Sequence, residues 1–211
     1  MAREQEAQER SGPALRPLVT GAALLVLSGL AVEGSSRLLA WRFPDAPVVP
    51  DTLFGLVPYV RDARHVTMAA MVLGCVLFAY YALRYAPDEV PEYLAVLAIM
   101  YLFRAVLIVL TPLAHARGEG PPAFPLFQNG MFPSGHTAAA LLFAWMTDAR
   151  RAPRLRRAQY VLLAVVVVCL VISHGHYSID IVGGALLAYF VHREWTSGTL
   201  FATVKRFMGI A

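Results

Sequence analysis

"PEYLAVLAIMYLFRAVLIVLTPL", residues 91–113, holds one charged residue, Arg104, beyond its opening Glu92. An apolar stretch of about 17–25 residues is what a helix needs to cross the hydrocarbon core of a bilayer. Alternating strands or an amphipathic surface helix would show polar residues at every second position or along one stripe, and neither pattern is present. This stretch reads as a transmembrane helix.

Similar blocks occur on both sides of it: Pro17 to Val32, Val66 to Leu83, Ser134 to Thr147, Gln159 to Ser173 and Tyr177 to Val191. The 211-residue chain is 58% hydrophobic and 15% charged, which selects an integral membrane protein over a soluble domain. The fold class expected is all-α, a polytopic bundle of six transmembrane helices. The two blocks from Ser134 and from Gln159 are short and would be shielded by their neighbours. Residues 1–16 read as a solvated tail and residues 17–211 as a single membrane domain. The first block resembles the core of a secretory signal, but its leader, "MAREQEAQERSGPALRP", is long and rich in glutamate, which favours a retained span.

Basic residues set the expected orientation. "DARRAPRLRR", residues 148–157, carries five arginines, whereas the "HGH" link at 174–176 has no lysine or arginine. The arginine loop is therefore placed in the cytoplasm. Both termini then lie inside, and the loops after the third and fifth spans lie outside. The stretch from Glu33 to Arg64, also outside in this scheme, opposes it with Arg37, Arg42, Arg61 and Arg64. A net charge of +4 is accounted for by topology, and no nucleic-acid partner is implied. Cys75 and Cys169 both fall inside spans, too far apart for a disulfide framework or a metal pair, and read as packing residues.

Polar side chains at membrane depth are costly, so each is a candidate functional group. His136 opens the fourth span in "FPSGHTAAA", residues 132–140, and "SHGHYSIDIVGG", residues 173–184, brings His174, His176 and Asp180 to the start of the sixth. His176 and Asp180 are four residues apart and share a helix face, where a carboxylate can orient an imidazole that serves as nucleophile or base. Arg104 lies about 12 Å below the outer helix end at 1.5 Å per residue, with Thr111 two turns above it. Its planar fork of donors suits a phosphate. Ser134 and Gly135 would let amides at a helix start face the same anion, with His136 beside them. Other readings are a structural ion pair of Arg104 with Asp180 or another acid, and a metal site from His174, His176 and Asp180. His174 is expected beside the site rather than in it, and Tyr177 as an interface anchor or a head-group contact. The apolar loop "PPAFPLFQNGMF", residues 121–132, is expected to gate lipid entry or to serve as a plain connector, and Gly183 and Gly184 to allow close helix packing.

"PSGH" followed at a distance by "HYSID" resembles the type 2 phosphatidic acid phosphatase superfamily, and within it the sphingomyelin synthase branch. That branch carries "SGHT", "HDHYTVD" and an arginine ahead of a threonine; the counterparts here are Ser134 to Thr137, His174 to Asp180, and Arg104 with Thr111. Lipid phosphatases instead have a lysine and an Arg-Pro pair where Arg104 and Thr111-Pro112 stand, and a Ser-Arg pair where Cys169-Leu170 stand. Pro133 is phosphatase-like, and Gly175 replaces an aspartate of the synthases. Gln128, Asn129 and Gly130 stand in place of the synthases' Cys-Gly-Asp. The resemblance implies a phosphotransferase that uses no metal or other cofactor. His176 would be its nucleophile, Asp180 would stabilise the imidazolium, and His136 would be general acid and then base. Arg104, Ser134, Gly135 and Thr111 would hold the phosphate, with His174 and Tyr177 behind them. The implied partners are a membrane phospholipid donor and a lipid alcohol such as ceramide; with water as acceptor the same residues make a lipid phosphate phosphatase. A small proton-coupled transporter, with the His-Asp cluster as relay, is the alternative outside enzymology. Oligomeric state is not legible.

Overall fold

The computed structural model describes residues 15–116 and 130–210. These form seven α-helices: α1 Leu15–Arg42, α2 Ala63–Tyr85, α3 Val90–Leu110, α4 Gly135–Met146, α5 Pro153–Ile172, α6 Ser178–Thr196 and α7 Ala202–Met208. Single 3-10 turns at Leu53–Gly55 and Pro87–Glu89 complete the regular structure, and no strand occurs among the described residues. Prolines mark several boundaries. Pro91 sits in the first turn of α3 and Pro153 opens α5, positions where a missing N–H costs nothing. Pro112 forces Thr111 out of helical geometry (φ −131°, ψ 74°) and ends α3.

Helices α1 to α6 alternate in direction. At one end, Val60 N–H donates to Ile172 O (2.7 Å), Ala114 N–H to Pro47 O (3.2 Å) and Ser134 N–H to Asp180 O (2.9 Å). The end of α1, the start of α2, the end of α3, the start of α4, the end of α5 and the start of α6 thus meet there. At the other end Arg151 pairs with Glu89 (2.5 Å), and Trp195 Nε1 donates to Glu92 (2.9 Å), joining the α2–α3 and α4–α5 connections to the end of α6. α7 packs beneath, burying Met208, and Lys205 there donates to the Trp195 carbonyl.

α1 lies along α3 and α2 along α5, while α4 sits at the centre in contact with α2, α3, α5 and α6. Nine of the twelve residues of α4 are buried, among them Ala138, Ala139, Leu142 and Phe143 in the main core with Phe78, Met100 and Leu187. Gln159, fully enclosed in α5, is satisfied by the Gly74 carbonyl of α2 (2.9 Å), so its polarity links two helices.

Among the described residues four helical stretches are long and apolar enough to cross a membrane: Leu15–Arg42, Ala63–Tyr85, Pro87–Leu110 and Pro153–Ile172. Their outward faces carry exposed Val26, Leu30, Val72, Leu73, Val106, Val161 and Val168, which fits an integral membrane protein. The other two expected spans do not reach that standard. α4 is about 18 Å long at 1.5 Å per residue, short of a ~30 Å hydrocarbon core, and α6 ends in His192, Arg193 and Glu194. The structure also extends the first expected span. α1 continues ten residues past Val32, with Arg37 bonded to Glu33 one turn earlier (2.7 Å), so the connection to α2 is residues 43–62. Of the two cysteines read as packing residues, Cys169 is buried and Cys75 faces outward, because it lies on the side of α2 turned from its neighbours. The expected tail up to residue 14 and most of the 121–132 loop lie outside the described residues.

Candidate active site

The polar residues singled out in the sequence gather at the end of the bundle where α3 and α5 finish and α4 and α6 begin. Asp180, fully buried in the first turn of α6, is the anchor. Its Oδ2 accepts the Tyr177 N–H (3.0 Å) and His176 Nδ1–H (3.2 Å). A carboxylate only accepts, so the bond sets the His176 tautomer and directs Nε2 away from Asp180. The first turn of a helix also favours the negative charge placed there.

His136 stands across from this pair. The two imidazoles are 5.7 Å apart between ring centroids and inclined at 68°. His136 Nδ1 is enclosed without a hydrogen-bond partner, and nothing among the described residues fixes this ring as Asp180 fixes His176.

Arg104 approaches from α3, 7% exposed. Its Nε donates to Pro133 O (2.9 Å) and one terminal nitrogen to Gly130 O (3.0 Å). No carboxylate lies within ion-pair distance of it among the described residues, so the structural ion pair is not what holds it. Carbonyls, not a directly bonded carboxylate, position the guanidinium, and three of its five N–H donors make no hydrogen bond among the described residues. Gly135 is required beside it: a Cβ there would stand 2.9 Å from Arg104 Nε and 3.3 Å from its Cζ.

Ser134 caps α4. Its Oγ accepts from the Thr137 N–H (3.3 Å) and hydroxyl (3.2 Å), and its own N–H is spent on Asp180 O. Of the amides at this helix start, those of Gly135 and His136 make no hydrogen bond among the described residues. Thr111 donates to its own helix at Leu107 O (2.7 Å), and its hydroxyl lies 3.5 Å from Phe132 O, which sets the end of α3 beside the 132–134 segment. That segment also fits against α6 only because Gly183 and Gly184 lack side chains. A Cβ on Gly183 would meet the Phe132 ring at 2.4 Å, and one on Gly184 the Ser134 carbonyl at the same distance.

His174 and Tyr177 turn away to other work. The His174 ring stacks on Phe54 at 4.1 Å, and its backbone is left-handed (φ 47°). Tyr177 is buried, its hydroxyl donating to Ala114 O (3.2 Å) and accepting from Val49 N–H (3.3 Å), so it bolts two loops together rather than anchoring at an interface. No cluster of three metal-ligating side chains occurs among the described residues.

Two residues here were not singled out by sequence reasoning. Asp51 bonds Ser178, and His115 lies close enough to feel the charge of His176; burial, then that charge, hold His115 below the usual histidine range. Neither belongs to a motif. The only signal was a polar residue within a loop that the topology puts on the same side as the histidines.

Residues 130–197, the segment that contains His136, His176 and Asp180, match the PAP2 superfamily C-terminal family. The chain is also similar to phosphatidylcholine:ceramide cholinephosphotransferase 1 of Caenorhabditis elegans, 26% identical over 215 residues. That alignment takes in 82% of this chain and 44% of the relative, so the chain spans less than half of the relative's length. The family resemblance read from the "PSGH" and "HYSID" motifs is borne out to this extent: the segment holding both motifs matches the PAP2 superfamily C-terminal family, in a chain similar to a ceramide cholinephosphotransferase.

Proposed function

We propose that this protein is a membrane lipid phosphotransferase that moves a phospho-head group from a glycerophospholipid to a lipid alcohol such as ceramide. The observation that carries the reading is the His176–Asp180 bond with the His136 ring 5.7 Å away and the Arg104 cation beside Gly135. The similarity to a ceramide cholinephosphotransferase supports the substrate class.

In the first step His176 Nε2 attacks the phosphorus of the donor. A P–N bond forms, the P–O bond to diacylglycerol breaks, and His136 gives its proton to the departing oxygen. Asp180 stabilises the imidazolium. In the second step the acceptor hydroxyl attacks phosphorus, the P–N bond breaks, and His136 takes the hydroxyl proton. Arg104 and the amides of Gly135 and His136 balance the charge on the phosphoryl oxygens throughout. Residues 17–211 act as one catalytic domain of six membrane-crossing helices, with α4 shielded by its neighbours. The five arginines of 150–157, two in the α4–α5 connection and three in the opening turns of α5, lie at the opposite end of the bundle from the histidines, which supports cytoplasmic termini and a site on the outer side.

The test is to place purified protein and its His176→Ala variant in liposomes of choline and ethanolamine phospholipids with a fluorescent ceramide. A new phospho-ceramide made by the wild type alone is expected, and acid-labile phosphate on His176 in a donor-only reaction. If ceramide is untouched while phosphatidic acid releases phosphate, the protein is a phosphatase. Substrate flux without any head-group chemistry would sink the enzyme reading in favour of a transporter.

A further inference from the structure

The turn that carries His176 is held from outside the segment that matches the family. Residues 49–60, in the connection from α1 to α2, grip it at several points. Val60 N–H bonds Ile172 O (2.7 Å), Phe54 stacks on His174 (4.1 Å), and Val49 N–H reaches the Tyr177 hydroxyl (3.3 Å). The strongest grip is Asp51. Its Oδ2 accepts the Ser178 N–H (2.5 Å) and its Oδ1 the Ser178 hydroxyl (3.1 Å), while the Leu53 N–H (2.9 Å) fixes the carboxylate from its own side. Positions 172, 174, 177 and 178 are therefore tied down, and His176 is the reactive side chain between them.

The turn is closed at its α5 end by that helix itself: His174, left-handed at φ 47°, donates its N–H to Val171 O (3.1 Å) and the next residue, Gly175, to Leu170 O (2.9 Å). Its α6 end is the end that Asp51 holds. Ser178 is the first residue of α6, where open N–H groups and the helix dipole make a carboxylate the best available partner. Burial pushes the Asp51 carboxyl up, but hydrogen bonds from Ser178, Leu53 and Phe54 outweigh it and hold the group below its ordinary value.

We propose that Asp51 is a positioning residue for the phosphoryl-transfer step, acting through Ser178 to hold the 174–180 turn so that His176 keeps its bond to Asp180 and faces His136. This rests on the proposed function in that the step positioned is attack by His176. It makes the α1–α2 connection part of the active machinery, so that the family-matching segment alone does not contain a complete site.

The experiment compares wild type with Asp51→Asn and Asp51→Glu in the choline-phospholipid and ceramide liposome assay, with thermal unfolding of each. The Asn variant keeps the shape and loses the charge-assisted bonds. Its kcat is expected to fall about ten-fold or more, with KM within about two-fold and the melting temperature little changed; Asp51→Glu, which keeps the charge, recovers part of the loss. An Asn variant as fast as wild type overturns the proposal, as does a loss that appears in stability and KM rather than in kcat. A second readout does not use turnover: site-resolved carbethoxylation of His176, with His192 at the opposite end as internal reference. Asp51→Asn should label His176 several-fold faster, because the brace that encloses it is loosened. If wild type turns over neither ceramide nor phosphatidic acid, the functional reading fails and labelling alone decides the positioning role, equal rates refuting it.

Discussion

Substituting Gly184 by alanine tests whether the close fit of α6 on the 132–134 segment sets the site. The added Cβ would stand 2.4 Å from the Ser134 carbonyl oxygen and 3.1 Å from Thr137 Cβ. The obstacle is backbone, which cannot swing aside, and ordinary contact begins near 3.5 Å, so α4 and α6 must part by about 1 Å. A shift of that size takes the Ser134 N–H···O Asp180 bond, now 2.9 Å, past the hydrogen-bonding limit. Overpacking costs about 1–3 kcal/mol and the lost bond about 1 more, partly offset by about 1 kcal/mol from replacing glycine in a helix. The net expectation is a destabilisation of about 1–3 kcal/mol. The effect on turnover is larger, because α4 carries His136 and α6 carries Asp180, and a 1 Å misplacement of reacting groups can cost about 100-fold. The assay is head-group transfer in liposomes below the variant's melting temperature, with Gly29→Ala, which meets nothing within 4 Å, as the control. A Gly184→Ala protein with kcat within about two-fold of wild type would show that the interhelix fit does not set the geometry.

Three further outcomes are expected. Asp180→Asn removes the carboxylate bonded to His176, which under the proposed mechanism stabilises its imidazolium, so phosphohistidine formation should slow by about 10²–10⁴-fold; rapid-quench detection of the intermediate checks it. Arg104→Lys keeps a cation but cannot make both carbonyl bonds and still present a fork, so kcat should drop at least about ten-fold, and a fully active lysine variant would contradict the guanidinium's role. His115 is held below its ordinary value of 6.5 by burial and then by the charge of His176, so the unfolded chain binds its proton first. That stability is present above the unfolded value and lost as pH falls below it, down through the lower folded value. Melting temperatures at pH 7.5 and pH 5.5 should therefore converge more closely in His115→Gln than in wild type, and identical drops would exclude the effect.

Much of the fold was legible because membrane helices announce themselves through length and apolarity. The stretch around Pro91–Leu113 became α3 nearly as read, whereas α5 begins at Pro153, six residues before the expected Gln159, and takes in Arg154, Arg156 and Arg157. Boundaries were less legible where charge intruded. α1 passes through Glu33 and Arg37 because these two pair along one helix face, a compensation that hydropathy does not register. Cys75 shows the related limit: an apolar residue within a membrane helix can face core or lipid, and only its neighbours decide.

Residue type and spacing alone marked His136, His176, Asp180 and Arg104 as ionisable groups in apolar surroundings, and showed that His176 and Asp180, four apart at a helix start, can bond. The duties of the smaller residues depended on tertiary structure. Ser134 proved to be a cap whose amide is spent on Asp180, Thr111 a hydroxyl bonded back to Leu107 of its own helix, and Gly135 the space into which Arg104 fits. Asp51 reaches Ser178 across 127 positions of chain. The physical reason is common to all: local spacing fixes which side chains share a helix face, whereas a hydrogen bond or a close approach between helices depends on distances that packing alone sets.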